Sequence, residues 1–138
     1  MVRDEAPPPA PGDPVERLMA KPVVAVAPRL TLRSLSAVLA GENVGAVVVR
    51  DEEGNLGIVS ERDVVRALAD GADPDEVWAA DVMATEPRWV EPQTPIAEAA
   101  ELMLSAGIRH VPVVEGGEAV GIVSIRDALG VLLRAPAD

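Results

Sequence analysis

Apolar positions fall along this chain in two matching series. In the first, VVAV (23–26) ends at Pro28 and is followed by Leu32, Leu35, Val38 and Leu39 at helical spacing; two Val-rich runs, AVVVR (46–50) and LGIVS (56–60), then flank DEEGN. In the second, RWV (88–90) ends at Pro92, Ile96, Ala99, Leu102 and Met103 repeat the helical spacing, and HVPVV (110–114) and AVGIVS (119–124) flank EGGE. Short β-branched runs closed by Pro predict strands, and paired runs joined by a Gly-containing turn predict hairpins. The spacing predicts helices from Thr31 to about Ala40 and from Pro95 to about Ser105. Thr94 serves there as N-cap, Pro95 as first helical residue, and Gly41 and Gly107 as terminators. Further helices are predicted from Glu61 to about Ala69 and from Ile125 to about Arg134, so each series reads β-α-β-β-α. A short helical lead-in precedes each, VERLMA (15–20) and DEVWAADVMA (75–84).

A single ungapped shift of 64 residues relates the two series. It lays Met19-Ala20 on Met83-Ala84, Val26 on Val90, Pro28 on Pro92, Val47 on Val111, and GIVSERD (57–63) on GIVSIRD (121–127). The period exceeds that of solenoid repeats, and two copies make a paired domain. A small Val-rich sheet with helices on one face leaves its other face in need of cover. Packing two such sheets face to face meets that need and creates a seam with pseudo-twofold symmetry, a favoured place for ligands. The fold class expected is therefore α+β. Residues 1–14 form a disordered Pro-rich leader, 15–71 the first repeat, 72–134 the second with its lead-in, and 135–138 a tail.

Composition narrows the function. A formal net charge of −11 repels nucleic acid and anionic membrane, and two Trp with no Phe or Tyr give no platform for base stacking. No stretch is long enough to span a membrane, the N-terminus lacks an apolar signal core, and there is no Cys, which points to a soluble cytoplasmic protein. With one His, no Cys and no phosphate-cradling Gly motif, the chain shows no catalytic or metal-binding constellation and is expected not to be an enzyme.

By itself, Ser-x-x-Asp after an apolar run is a strand entering a capped helix, with the Ser oxygen and the Asp carboxylate serving the helix N-terminus. The repetition of GIVSxRD in register, with Leu18-Met19, Asp81-Val82-Met83 and GIRHVPVV (107–114), makes the chain resemble a CBS domain pair, or Bateman module, over residues 15 to about 134. The resemblance implies a regulatory binding module for adenosine-containing ligands such as AMP, ADP, ATP or S-adenosylmethionine, with no required cofactor, commonly assembled as a flat homodimer. It places ribose contacts on Asp63 and Asp127 and helix-start contacts on Ser60 and Ser124. A carboxylate accepts from a vicinal diol, and helix-start N–H groups suit phosphate.

Other candidates follow by position. Arg109 and His110 stand where family members carry basic residues that meet phosphates, and their register partners Gly45 and Ala46 offer neither charge nor donor, so the two clefts should be unequal. Arg62 and Arg126 lie in a first helical turn, where a cation opposes the dipole and invites an anion or an acidic neighbour. Ala20 and Ala84 replace the family's Thr or Ser, leaving Lys21 and Thr85 as the nearest polar groups; Trp89 either fills a cleft or stacks on adenine. A second function stays open beside nucleotide sensing: a ligand-free scaffold that dimerises or docks on a protein target.

Overall fold

The computed structural model describes residues 7–135. After one 3-10 turn at Val15–Arg17, the first repeat comprises β1 (Ala25–Val26), α1 (Leu32–Glu42), β2 (Ala46–Arg50), β3 (Leu56–Ser60) and α2 (Glu61–Ala69). The second has α3 (Ala79–Val82), β4 (Ala84–Thr85), α4 (Ile96–Ala106), β5 (His110–Glu115), β6 (Glu118–Ser124) and α5 (Ile125–Arg134). The order β1-β2-β3-β4 makes one sheet, β1 parallel to β2 and the rest antiparallel; β5-β6 makes the other. Apolar residues fill the helix-covered faces, Leu32, Leu35, Val47 and Val59 in the first repeat and Ile96, Met103, Val111 and Val123 in the second. Between the sheets Val48 meets Ala119 and Ile122, with Val23 and Leu56 alongside. The fold is α+β, as expected.

The lead-ins are exchanged. Val15, fully buried, sits in the core of the second repeat with Leu18 and Met19 beside it, and Ala79 sits in the core of the first with Val77, Val82 and Met83. Hydrogen bonds repeat under the same 64-residue shift: Val15 N–H donates to Thr94 and Ala79 N–H to Leu30, Glu16 to Pro92 and Ala80 to Pro28. β4 accordingly pairs with β3 through Ala84 and Ile58, while Ala20 bridges to Ile122. Arg33 forks onto Asp75 at 2.6 and 3.0 Å, and Arg29 lies 5.2 Å from the centre of the Trp78 ring, fastening the second lead-in to the first repeat.

This exchange explains the glycine that opens each GIVS. A Cβ on Gly57 would come within 2.5 Å of Met83 Sδ, and one on Gly121 within 2.6 Å of Met19 Sδ. Each glycine thus leaves room for the methionine of the visiting lead-in.

Several expectations are corrected. The leader is ordered where it is described next to the first lead-in: the carbonyls of Pro11 and Asp13 accept from Ala97 and Ile96, and Pro14 bridges Pro95. In the first repeat the carbonyls of Pro74 and Val77 serve Arg33 and Leu32 at the start of α1; residues 1–6 and 136–138 lie outside the described residues. The Pro11 and Asp13 carbonyls take up first-turn N–H groups of α4, whose N-cap is Pro95; the Thr94 hydroxyl accepts from Glu91 N–H instead. α1 runs through Gly41 and stops at Asn43, left-handed at φ 54°, whereas Gly107 ends α4 as expected at φ 68°. The predicted strand at 88–90 shrinks to one parallel bridge, Val90 with Val113, because Val90 is its only inward apolar residue and both neighbours are exposed.

Candidate functional site

Both GIVSxRD segments run from a strand into a helix, but their caps differ. Ser60 Oγ accepts from Asp63 N–H at 3.2 Å, and the Asp63 carboxylate takes hydrogen bonds from Ser60 N–H at 2.9 Å and Ser60 Oγ at 3.0 Å. That closed reciprocal cap engages Asp63 within its own helix start. Ser124 Oγ likewise accepts from Asp127 N–H, at 3.1 Å, yet among the described residues no hydrogen bond returns to the Asp127 carboxylate, which is exposed. One copy is a finished cap; the other holds a free acceptor.

The free carboxylate opens on a cleft of about 790 Å³ between the repeats. The second repeat contributes Arg109, His110, Ile122 and the segment Ser124 to Asp127; the first contributes Val23, Val24, the segment Asn43 to Ala46, and Glu61, Val64 and Leu68 of α2. At the α5 N-terminus Ile125 N–H donates to the Arg109 carbonyl at 2.7 Å and Asp127 N–H to Ser124, leaving Arg126 N–H without a partner among the described residues. Such a group, at the positive end of a helix, favours an anion.

His110 approaches the first repeat closely: a Cβ on Gly45 would come within 2.9 Å of its Nε2 and 3.8 Å of a Glu61 oxygen. The sequence asymmetry has its cause here, since only a residue without a side chain at 45 leaves space for the imidazole. Burial pushes the His110 imidazole below its ordinary value of 6.5; Glu61, Asp127 and Asp63 pull it upward, and Arg109 adds to the downward push. The neutral form therefore dominates in the folded chain near neutrality. As pH falls from about 6.5 the unfolded chain takes up its proton first, so stability is lost on acidification through that window. His110→Asn is expected to flatten the fall of melting temperature below pH 6.5, measured by scanning fluorimetry across a pH series; an unchanged slope would contradict this account.

The structure thus gathers five sequence candidates, Ser124, Asp127, Arg109, His110 and Arg126, around one cleft. Ser60, Asp63 and Arg62 do not line it; the Asp63 charge contributes to the electrostatic surroundings of His110. Lys21 is exposed and does not line the cleft, although its neighbours Ala20 and Pro22 do. Thr85 is exposed on β4, paired with Gly57. Trp89 neither fills the cleft nor stands where it can stack within it: it is 53% exposed and lines a separate groove along α4 with Glu91, Glu98 and Glu101. Glu61 was not among the sequence candidates, although it is the one position at which GIVSERD and GIVSIRD differ.

Among the described residues no helix is long and apolar enough to cross a membrane. The family model of the CBS domain matches residues 15–70 and 79–134. Protein MK0525 of Methanopyrus kandleri is 35% identical over 112 residues, which are 79% of this chain and 57% of that protein, so the chain spans little more than half of that relative. The CBS domain-containing protein YhcV of Bacillus subtilis is 31% identical, covering 82% of this chain and 81% of its own. Among solved structures, the CBS domain protein PAE2072 from Pyrobaculum aerophilum complexed with AMP superposes with a TM-score of 0.78 at 35% identity, over 87% of this chain and 95% of that one. With both matched segments falling on the two pseudo-symmetric repeats, the chain belongs to the CBS domain family, as a CBS domain pair of the kind that serves as a regulatory ligand-binding module.

Proposed function

We propose that this chain senses an adenosine-containing ligand of the AMP, ADP, ATP or S-adenosylmethionine class in the cleft at Asp127, without catalysis. The free Asp127 carboxylate carries the reading: it is an acceptor-only group, unengaged by its own helix, beside Arg109, Arg126 and an unpartnered helix-start N–H. In this reading Asp127 takes the ribose diol; the α5 N-terminus with Arg109, Arg126 and His110 takes phosphate; and Val23, Val24 and Ile122 line the base. The AMP complex of the relative at 35% identity supports the ligand class. Because both repeats wall the cleft, a ligand that binds one arrangement of them better shifts the population toward it, by no more than its difference in affinity.

Isothermal titration with AMP is expected to give one site per chain, with a rise in melting temperature that grows with AMP concentration. No heat and no thermal shift at millimolar AMP would overturn the proposal.

Val65 and Leu68 on α2, Leu104 on α4 and Leu133 on α5 are 63, 44, 61 and 84% exposed, apolar area that a second copy would cover in a homodimer. The same side chains favour a second reading, a ligand-free dimerisation or protein-interaction module. Loss of the AMP response with a dimer retained in sedimentation would select it.

A further inference from the structure

The two copies of the seven-residue motif differ at a single position, Glu61 in one and Ile125 in the other, and both residues line the same cleft. The first repeat thereby sets a carboxylate into the cleft that holds the second repeat's Asp127. Charges on the cleft wall then balance: Arg109 and Arg126 stand against Asp127 and Glu61, with His110 held toward neutrality by burial. The chain as a whole, at −11, adds no positive excess.

A balanced wall tolerates a ligand of modest negative charge met by local hydrogen bonds. A nucleoside monophosphate brings up to about two negative charges at neutral pH, and each added phosphate brings roughly one more. Those added charges enter a wall whose two guanidiniums are equalled in number by two carboxylates, and Glu61 repels them, most strongly at low salt. Ile125 exerts no such effect, so only the first-repeat copy of the motif supplies the discrimination.

Resting on the adenosine-binding reading above, we propose that Glu61 is a specificity residue that restricts the cleft to adenosine ligands bearing no more than one phosphate. Glu61 is exposed at the first position of α2 and accepts no hydrogen bond among the described residues, so Glu61→Gln removes charge with little change in packing.

The test is isothermal titration of the full chain and of Glu61→Gln with adenosine, AMP, ADP and ATP, free of divalent metal, at low and high salt. The wild-type chain is expected to bind AMP about tenfold more tightly than ATP at low salt. Glu61→Gln should narrow that ratio roughly fivefold, chiefly by tightening ATP, with the narrowing reduced in high salt. ATP bound as tightly as AMP by the wild-type chain, or a ratio unmoved in Glu61→Gln, would overturn the role of Glu61 while leaving adenosine binding intact. Binding of none of the four by either protein would overturn both.

Discussion

Asp127→Ala is expected to weaken AMP binding by about 2 kcal/mol, roughly thirtyfold, while barely moving the melting temperature of the free chain. The Asp127 carboxylate is exposed and accepts no hydrogen bond among the described residues, so removing it costs the fold little beyond a favourable charge at the start of α5. What it takes from a bound ribose is a charge-assisted acceptor for two hydroxyls. Asp63→Ala should show the opposite pattern. That carboxylate is half-buried and receives both the N–H and the hydroxyl of Ser60, so its loss opens the cap of α2 and costs about 1–2 kcal/mol of stability. Affinity for AMP should change less than threefold, about 0.7 kcal/mol. Thermal unfolding and titration of the two variants side by side read both quantities. A variant pair in which Asp63→Ala loses binding and Asp127→Ala loses stability would reverse the assignment of cap and acceptor.

Much of this architecture is legible in the amino-acid order, for a physical reason. Strand and helix periods are local, and α2 and α5 begin and end where the apolar pattern and the Ser-x-x-Asp caps place them. Even the inequality of the repeats is visible, in Gly45-Ala46 against Arg109-His110. The exchange of lead-ins is not, because VERLMA carries the same amphipathic pattern whichever core receives Val15; long-range contacts such as Val15 N–H to Thr94 and Ala20 with Ile122 distinguish them. The same gap hid the cap of α4. A disordered leader is the natural reading of a Pro-rich segment, yet backbone carbonyls hydrogen-bond regardless of side chain, and those of Pro11 and Asp13 do so here. Gly41 misled because an exposed helical glycine costs only about 1 kcal/mol, which tertiary packing of Leu32, Leu35 and Leu39 overrides. In the site, Glu61 is not marked by the repeated motif, because it stands at the one position where the two copies differ.

Gly121→Ala is expected to cost about 1–3 kcal/mol, and Met19→Ala to recover much of it. The added methyl would lie 2.6 Å from Met19 Sδ, 2.8 Å from its Cγ and 3.0 Å from its Cβ. The thioether can swing away at modest cost, but Cβ is fixed to the backbone, so Ala20 and its bridge to Ile122 must shift as well. Gly57→Ala meets Met83 Sδ at 2.5 Å, its Cγ at 3.1 Å and the Ala84 carbonyl oxygen at 3.2 Å, and is expected to cost a comparable amount. Met19→Ala alone removes half-buried apolar volume at about 2 kcal/mol, the low end for such truncations. In the double variant Cγ and Sδ are gone, and the new methyl partly fills the space they vacate. The sum of the single costs should then exceed the double by at least about 1 kcal/mol in denaturant unfolding. Residues 19 and 121 are 102 positions apart and lie in different repeats, so coupling of that size requires the first lead-in to rest on the second sheet. If each lead-in packed on its own repeat, the costs would add, and the 64-residue period would mark two self-contained units. Coupling instead means that each core is completed by the lead-in of the other repeat, so the two walls of the Asp127 cleft share their stability.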